Sequence, residues 1–394
     1  MSCVQKKKNK CSGEPTTTTI ESLPDNVLCH ILSFLPTKEA IPTCLLSKRW
    51  KRQWLKLRSF HFDEAYHRDF DRLCNFIHLV LYEINSSFQS LSITSSVQSA
   101  SGIRVEDLDT ILYAAWWKEI QQLDLRMTAT SILLPYCFYR CKTIVTLKLY
   151  NVTLDCPIRV NFPLLKTLRL TQVVFTNRAN MFKFFRGCPN LEDLDSRSLT
   201  ISSPGGNDME EEGVAEPLLK LVTAKVSYSS HILFPLLSNA QFLTTRMDSA
   251  TINYVENPMF QRLTNIDLTF ASDRCNVMWN WFVQMLHNSP KLRHLTIHKE
   301  SSCPNEVGKV DDSYLQIIPE CLSSQLVRFT LKYYKGLECE VQVAKYIMQN
   351  SKVLQKMTIH TTLVDLKHSM LETFSLYPMG SVTCNLHFDI EQKC

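Results

Sequence analysis

The side chains best suited to chemistry are scattered along this chain. Fifteen cysteines are spread over 394 residues, with no Cys-x-x-Cys pair among them. Cys137 and Cys141 stand four apart, but no histidine or second cysteine pair follows at zinc spacing. His294 and His298 are also four apart, in RHLTIH. That segment reads as a strand, so the two rings share a sheet face but sit too far apart to hold a metal unaided. No carboxylate pair, cysteine–histidine signature or nucleophile elbow has a supporting context. Glycine numbers only 9, roughly a third of the usual ~7%. Phosphate-cradling loops need glycine for close backbone approach. G-x-G-x-x-G, G-x-x-x-x-G-K-[ST] and G-x-S-x-G are all missing. The expectation is a non-catalytic protein with no metal site and no cofactor.

Composition sets the class. Apolar content of 45% and charge of 21% are ordinary for a folded soluble chain. No apolar run reaches the ~20 residues of a membrane span, and the start lacks the apolar stretch of a secretory signal. Residues 1–19 read as a disordered basic tail, with Lys6, Lys7, Lys8 and Lys10 against Glu14. That tail holds most of the formal net charge of +5, so bulk charge does not argue for nucleic acid. The unpaired, odd cysteine count suggests reduced thiols in the cytosol or nucleus. The expected localisation is therefore cytoplasmic, nuclear or both, with no membrane partner.

A repeat organises the body. RCKTIVTLKL (140–149), GCPNLEDLDS (187–196), NSPKLRHLTI (288–297) and NSKVLQKMTI (350–359) align without gaps. Helical patterns precede the last three, and Gly187, Asn288 and Asn350 stand where a left-handed C′ residue is expected. Each unit then reads as a tight turn and a short strand of L-x-[LI] alternation. Weaker copies run through 162–170, 216–226 and 260–270, and the series begins at QSLSI (89–93). Leu123, Leu147, Leu168 and Leu194 recur at the ~20–29-residue period of leucine-rich repeats. One such unit cannot bury its own leucines, but stacked units can. The polar, acidic stretch 203–213 reads as an exposed loop. The aromatic run Trp279, Trp281, Phe282 reads as core. Asn151 is the one candidate for the asparagine that usually follows L-x-L.

LPDNVLCHILSFLP (23–36) is different. Val27, Leu28, Ile31, Leu32 and Leu35 form one helical face between Pro24 and Pro36. So short a helix must pack on its own chain or on a partner. Thr37 is placed to cap a second helix, which Pro42 interrupts. CLLSKRWKRQWLKL follows, with six basic residues between Lys48 and Arg58. This run reads mainly as a solvated helix face, with nuclear import as the lesser reading.

Residues 20–54 resemble an F-box of the plant type that ends in L-S-K-R-W. They share its Leu-Pro entry, its Ile-Leu…Leu-Pro helix and its Leu-Ser-Lys-Arg-Trp exit. Pro42 and Cys44 depart from the usual residues there. Segment 320–359 resembles the FBD module found at the C-terminus of such proteins. The resemblance implies an α/β fold: a small all-helical F-box (20–66), then an irregular leucine-rich-repeat solenoid (67–315) with parallel strands and outer helices, then FBD-like repeats (316–394). It also implies a function. The F-box would bind a Skp-type adaptor, and through it cullin and RING subunits, while the repeats hold a target protein for ubiquitination. Adaptor contacts would come from Leu23, Pro24, Val27, Leu28, Ile31, Leu32, Leu35, Leu45, Leu46, Ser47 and Trp50, some of which must instead form the F-box core. The basic run would assist encounter at the rim. Target contacts would come from non-leucine strand positions, with Lys148, Arg169, Asp195 and Thr296 as candidates. A non-ligase repeat scaffold and a small-ligand receptor are the alternatives.

Overall fold

The computed structural model describes residues 20–67, 70–84, 86–95, 104–128, 131–157, 159–202, 215–227, 233–247, 257–271, 275–300, 317–363 and 366–390. The basic tail 1–19 and the acidic loop 203–213 fall outside these residues. No described helix is long and apolar enough to cross a membrane.

The chain opens with two short helices, α1 (Asp25–Leu32) and α2 (Thr37–Ala40). Pro24 and Pro36 stand immediately before them, where a missing N–H costs nothing. After Ala40 the backbone tightens into 3-10 turns at Ile41–Leu45, Trp50–Arg52 and Trp54–Lys56. Pro42 removes the donor an α-helix would need there. Thr37 does not cap the second helix. It lies inside α2, and its hydroxyl accepts from the His61 N–H at 2.8 Å, tying the helical start to the sheet that follows.

That sheet has thirteen parallel strands in sequential order. They are β1 (Ser59–Asp63), β2 (Ser90–Ser95), β3 (Gln122–Met127), β5 (Thr146–Tyr150), β7 (Thr167–Thr171), β9 (Asp193–Arg197) and β11 (Thr223–Ser227). Then come β12 (Phe242–Met247), β13 (Asn265–Phe270), β14 (His294–Lys299), β15 (Arg328–Lys332), β16 (Lys356–Thr361) and β17 (Asn385–Ile390). A smaller parallel sheet runs alongside, of β4 (Ile132–Leu133), β6 (Val152–Leu154), β8 (Val174–Phe175) and β10 (Thr200–Ile201). The ladder begins earlier than QSLSI. Phe60 and Phe62 alternate inward on β1, which pairs with β2 inside the stretch 20–66.

Strand alternation builds the core. Leu91, Leu123, Leu147, Leu168 and Leu194 pair in one unbroken register row, and all five are buried. Over this layer lie the helices α3 (Phe70–Glu83), α4 (Val105–Trp117), α5 (Arg178–Arg186), α6 (Cys275–His287), α7 (Glu320–Ser324), α8 (Glu338–Asn350) and α9 (Leu366–Ser375). Rings of Phe138, Phe162, Phe184 and Phe175 form a chain with centroids 5.4–5.8 Å apart. Each such buried side chain contributes about 1.5–3 kcal/mol. Trp279, Trp281 and Phe282 are core as well. The architecture is a helical start followed by a parallel-strand solenoid of leucine-rich-repeat type.

The repeat turns differ from expectation. Gly187 has φ −70°, and neither Asn288 nor Asn350 has positive φ. Glycine serves packing at 187, where a Cβ would fall 2.6 Å from Val160 Cγ1 and 2.8 Å from its carbonyl. Among the described residues one left-handed residue, Glu119, follows a helix, α4, and the others outside glycine come after strands. Asn151, Gln172 and Ser198 have φ of 54°, 54° and 55°, at the corners between the two sheets. Their N–H groups donate to the carbonyls of Thr171, Arg197 and Ser227, each in the next repeat. The Asn151 side chain also donates to the Met127 carbonyl at 2.7 Å.

Candidate functional site

Two surfaces are built by these elements. The first is on the helical start. α1 turns Leu28 and Leu32 inward, at 0% and 1% exposure, against a core that includes Ala40, Trp50, Trp54 and Leu57. These contacts correct three of the expected partner residues. Leu28, Leu32 and Trp50 are sealed inside the chain and support the surface without forming it. Leu23 packs partly on the same core, and Ser47 is half-buried, with its hydroxyl accepting from the Trp50 N–H.

The opposite side of α1 is bare. Pro24, Val27 and Leu35 are exposed and Ile31 is half-exposed, on a stripe of 3–4-residue spacing. Beyond it, Leu45 is 85% exposed and Leu46 66%. Phe34, 74% exposed, belongs to this surface but is outside the expected set. It lies past the last turn of α1, seven residues on from Val27 and so on the same side by helical spacing.

Part of the basic run holds this unit together. Arg49 and Lys56 both pair with Asp25, at 2.7 and 2.9 Å. The Arg49 guanidinium also donates to the carbonyls of Glu21 and Leu23. Hydrogen bonds from Lys56 and then Arg49 hold the Asp25 carboxyl well below the usual carboxylate range. Two of the six cations are thus committed internally, while Lys48, Lys51, Arg52 and Arg58 face solvent.

The second surface is the open face of the large sheet. Lys148, Arg169 and Asp195 pair in one row, which begins at His61 and runs through Asp124. The row continues across Lys225, Thr244, Asp267 and Thr296, so all four candidate target residues share it. The N-terminal half of this face carries two ion pairs, each within one strand, and Lys148 and Arg169 stand outside them. Arg126 pairs with Asp124, and Arg197 with Asp195, both at 3.0 Å. The C-terminal half pairs Lys332 with Asp267 and Arg246 with Glu300. At its strand entrances His294, Arg328 and Lys356 stand side by side in a second row. Burial, then Arg328 and Arg293, push the His294 pKa down, so the ring is neutral at pH 7. Beside it, Phe242, 43% exposed, lines a shallow groove with Asn265, Asp267 and Thr296. His298 shares this open face and packs at a tilt against Tyr333, with ring centroids 4.4 Å apart. Among the described residues, no group of three or more His, Cys, Asp or Glu is placed to hold a metal.

Comparison with known proteins agrees with this layout. An F-box domain model matches residues 20–62, covering the helical start and most of β1. An FBD model matches 316–359, covering α7, β15, α8 and β16. An FBD-associated F-box protein of Arabidopsis thaliana is 29% identical over 94% of this chain and 99% of its own length. Two F-box/FBD/LRR-repeat proteins of the same plant are each 26% identical over 94% of this chain, covering 99% and 98% of themselves. With the two matched domains at its ends and the parallel-strand repeats between them, the chain is similar over nearly its whole length to proteins named for an F-box, leucine-rich repeats and an FBD domain.

Proposed function

We propose that this protein is the substrate-recognition subunit of a Skp–cullin–F-box ubiquitin ligase. The observation that carries the reading is the outward apolar stripe of Pro24, Val27, Ile31, Phe34, Leu35, Leu45 and Leu46 on the matched F-box. Apolar side chains this exposed are costly to leave in water and mark a docking surface. The stripe seats a Skp-type adaptor, with Lys48, Lys51 and Arg52 assisting encounter with an acidic partner. Through the adaptor come cullin and RING subunits.

The open sheet face holds the target, along the row of Lys148, Arg169, Asp195 and Thr296. At the strand entrances of its C-terminal half, Arg328 and Lys356, with Phe242 as an apolar anchor, suit an acidic segment. The protein then acts by positioning: it raises the local concentration of a target lysine near the charged conjugating enzyme. No catalytic group of its own is required.

The test is reconstitution with adaptor, cullin and RING subunits, followed by a search for ubiquitinated proteins that accumulate when this chain is removed from cells. Ubiquitin transfer to a captured protein is the expected result. Capture with no transfer, and no change in partner level on removal, would make the chain a scaffold.

A further inference from the structure

Lys299 breaks the rule of the solenoid. It is the last residue of β14, and it points to the leucine side. Among the described residues it is the one charged side chain on the core-facing rows of the thirteen strands. It is 2% exposed. A buried ammonium costs several kcal/mol unless it is compensated, and its neighbours are unusual. The ammonium donates to the Cys339 sulfur at 3.2 Å. Next along α8 is Glu340, 3% exposed. One Glu340 oxygen, Oε2, accepts from the N–H groups of Lys335 and Leu337 at 2.9 and 3.1 Å, which closes the start of the helix. The other, Oε1, is buried with no hydrogen-bond partner. The indole N–H of Trp279 is buried and unpartnered too.

These four groups line one cavity. Its other walls are mostly apolar, formed by Phe270, Phe282, Ile297, Leu331 and Val343, with Gln342 beside them. It has about 30 Å³ open to a water-sized molecule, enough for one or two such molecules and too little for a larger ligand. An unused acceptor and an unused donor around that space mark a seat for a small molecule that both gives and takes hydrogen bonds.

We propose that this cavity is a peroxide site and that Cys339 is the residue oxidised there. The ammonium beside the sulfur favours the thiolate. Trp279 N–H and Glu340 Oε1 hold hydrogen peroxide with one oxygen toward the sulfur. The thiolate attacks that oxygen, an S–O bond forms and the O–O bond breaks. The departing hydroxide takes a proton from Lys299. The products are a sulfenic acid at Cys339, a neutral Lys299 amine and water, so atoms and charge balance. This is the first rung of cysteine oxidation. The chain's buried thiols are poor competitors: burial pushes Cys74, Cys156 and Cys321 up to about 12.

The experiment treats the full chain with micromolar hydrogen peroxide, traps sulfenic acid with dimedone and locates the adduct by peptide mass spectrometry. Cys339 should label about tenfold or more faster than Cys44, a half-exposed F-box thiol with no lysine hydrogen-bonded to its sulfur. Equal rates within the wild-type chain overturn the proposal, and that comparison needs no variant. Lys299→Met should then remove the advantage while thermal unfolding stays cooperative. A folded Lys299→Met chain that keeps the full rate would equally overturn the role given to the ammonium. Trp279→Phe, which keeps the ring packing and loses the donor, should slow oxidation without affecting Cys44.

Discussion

Neighbouring leucines of the F-box have opposite fates. Leu32 is 1% exposed and Leu45 85%. Leu32→Ala should therefore cost about 2–5 kcal/mol in stability, read by thermal or denaturant unfolding. Leu45→Asp should change stability by less than about 0.5 kcal/mol, yet weaken adaptor binding about 30-fold or more, as a truncated hot spot does. Asp25 adds a pH signature. Its folded pKa is depressed by Lys56 and Arg49, so its contribution is present above the ordinary carboxylate pKa of ~3.9 and lost as pH falls below it. An acid titration of F-box unfolding should show that loss, and Asp25→Asn should flatten it. Helical spacing showed that residues 23–36 carry one apolar face. It could not divide that face between core and partner, because Leu28 and Val27 differ by one position and both are apolar. Burial by Trp50 and Trp54 makes the division, and those contacts come from a segment some twenty residues away in sequence.

The elements were legible where their period was strict. The L-x-L rows became β5, β7, β9 and β14, and the helical patterns became α5, α6 and α8. β12 went unread because FLTTRM puts Thr245 between its inward Leu243 and Met247, whereas RFTLK of β15 alternates Phe329 and Leu331 and was read only within the FBD-like segment 320–359. The turn chemistry was misplaced for a related reason. Gly187 invites a left-handed reading, but here glycine answers a close approach by Val160. Gly187→Ala should cost about 1–3 kcal/mol by overpacking, measured as a lower unfolding midpoint with adaptor binding intact. Asn151 shows the converse. Its φ of 54° suits asparagine, and its amide bridges back to Met127. Asn151→Val should destabilise the chain by about 2 kcal/mol, through the left-handed backbone and the lost hydrogen bond together.

At the scale of the whole molecule, the helical start and the repeats are one packed body. Thr37 is bonded to β1, and Trp54 and Leu57 share a core with Phe60 and Phe62. On the function proposed above, a target on the sheet face would be held at a fixed position relative to the F-box, as a ligase that works by positioning requires. Arg328 and Lys356 lie on β15 and β16, at the far end of the sheet from β1, so the two surfaces are separable. Arg328→Glu with Lys356→Glu should abolish capture of an acidic target in a pull-down while leaving adaptor binding unchanged. The decisive measurement is size exclusion of the full chain co-expressed with a Skp-type adaptor, beside the Leu45→Asp/Leu46→Asp variant. A stable complex with the wild-type chain, lost in a variant that unfolds at the same temperature, is the predicted result. A wild-type chain that elutes alone, or a variant that still binds fully, would contradict it.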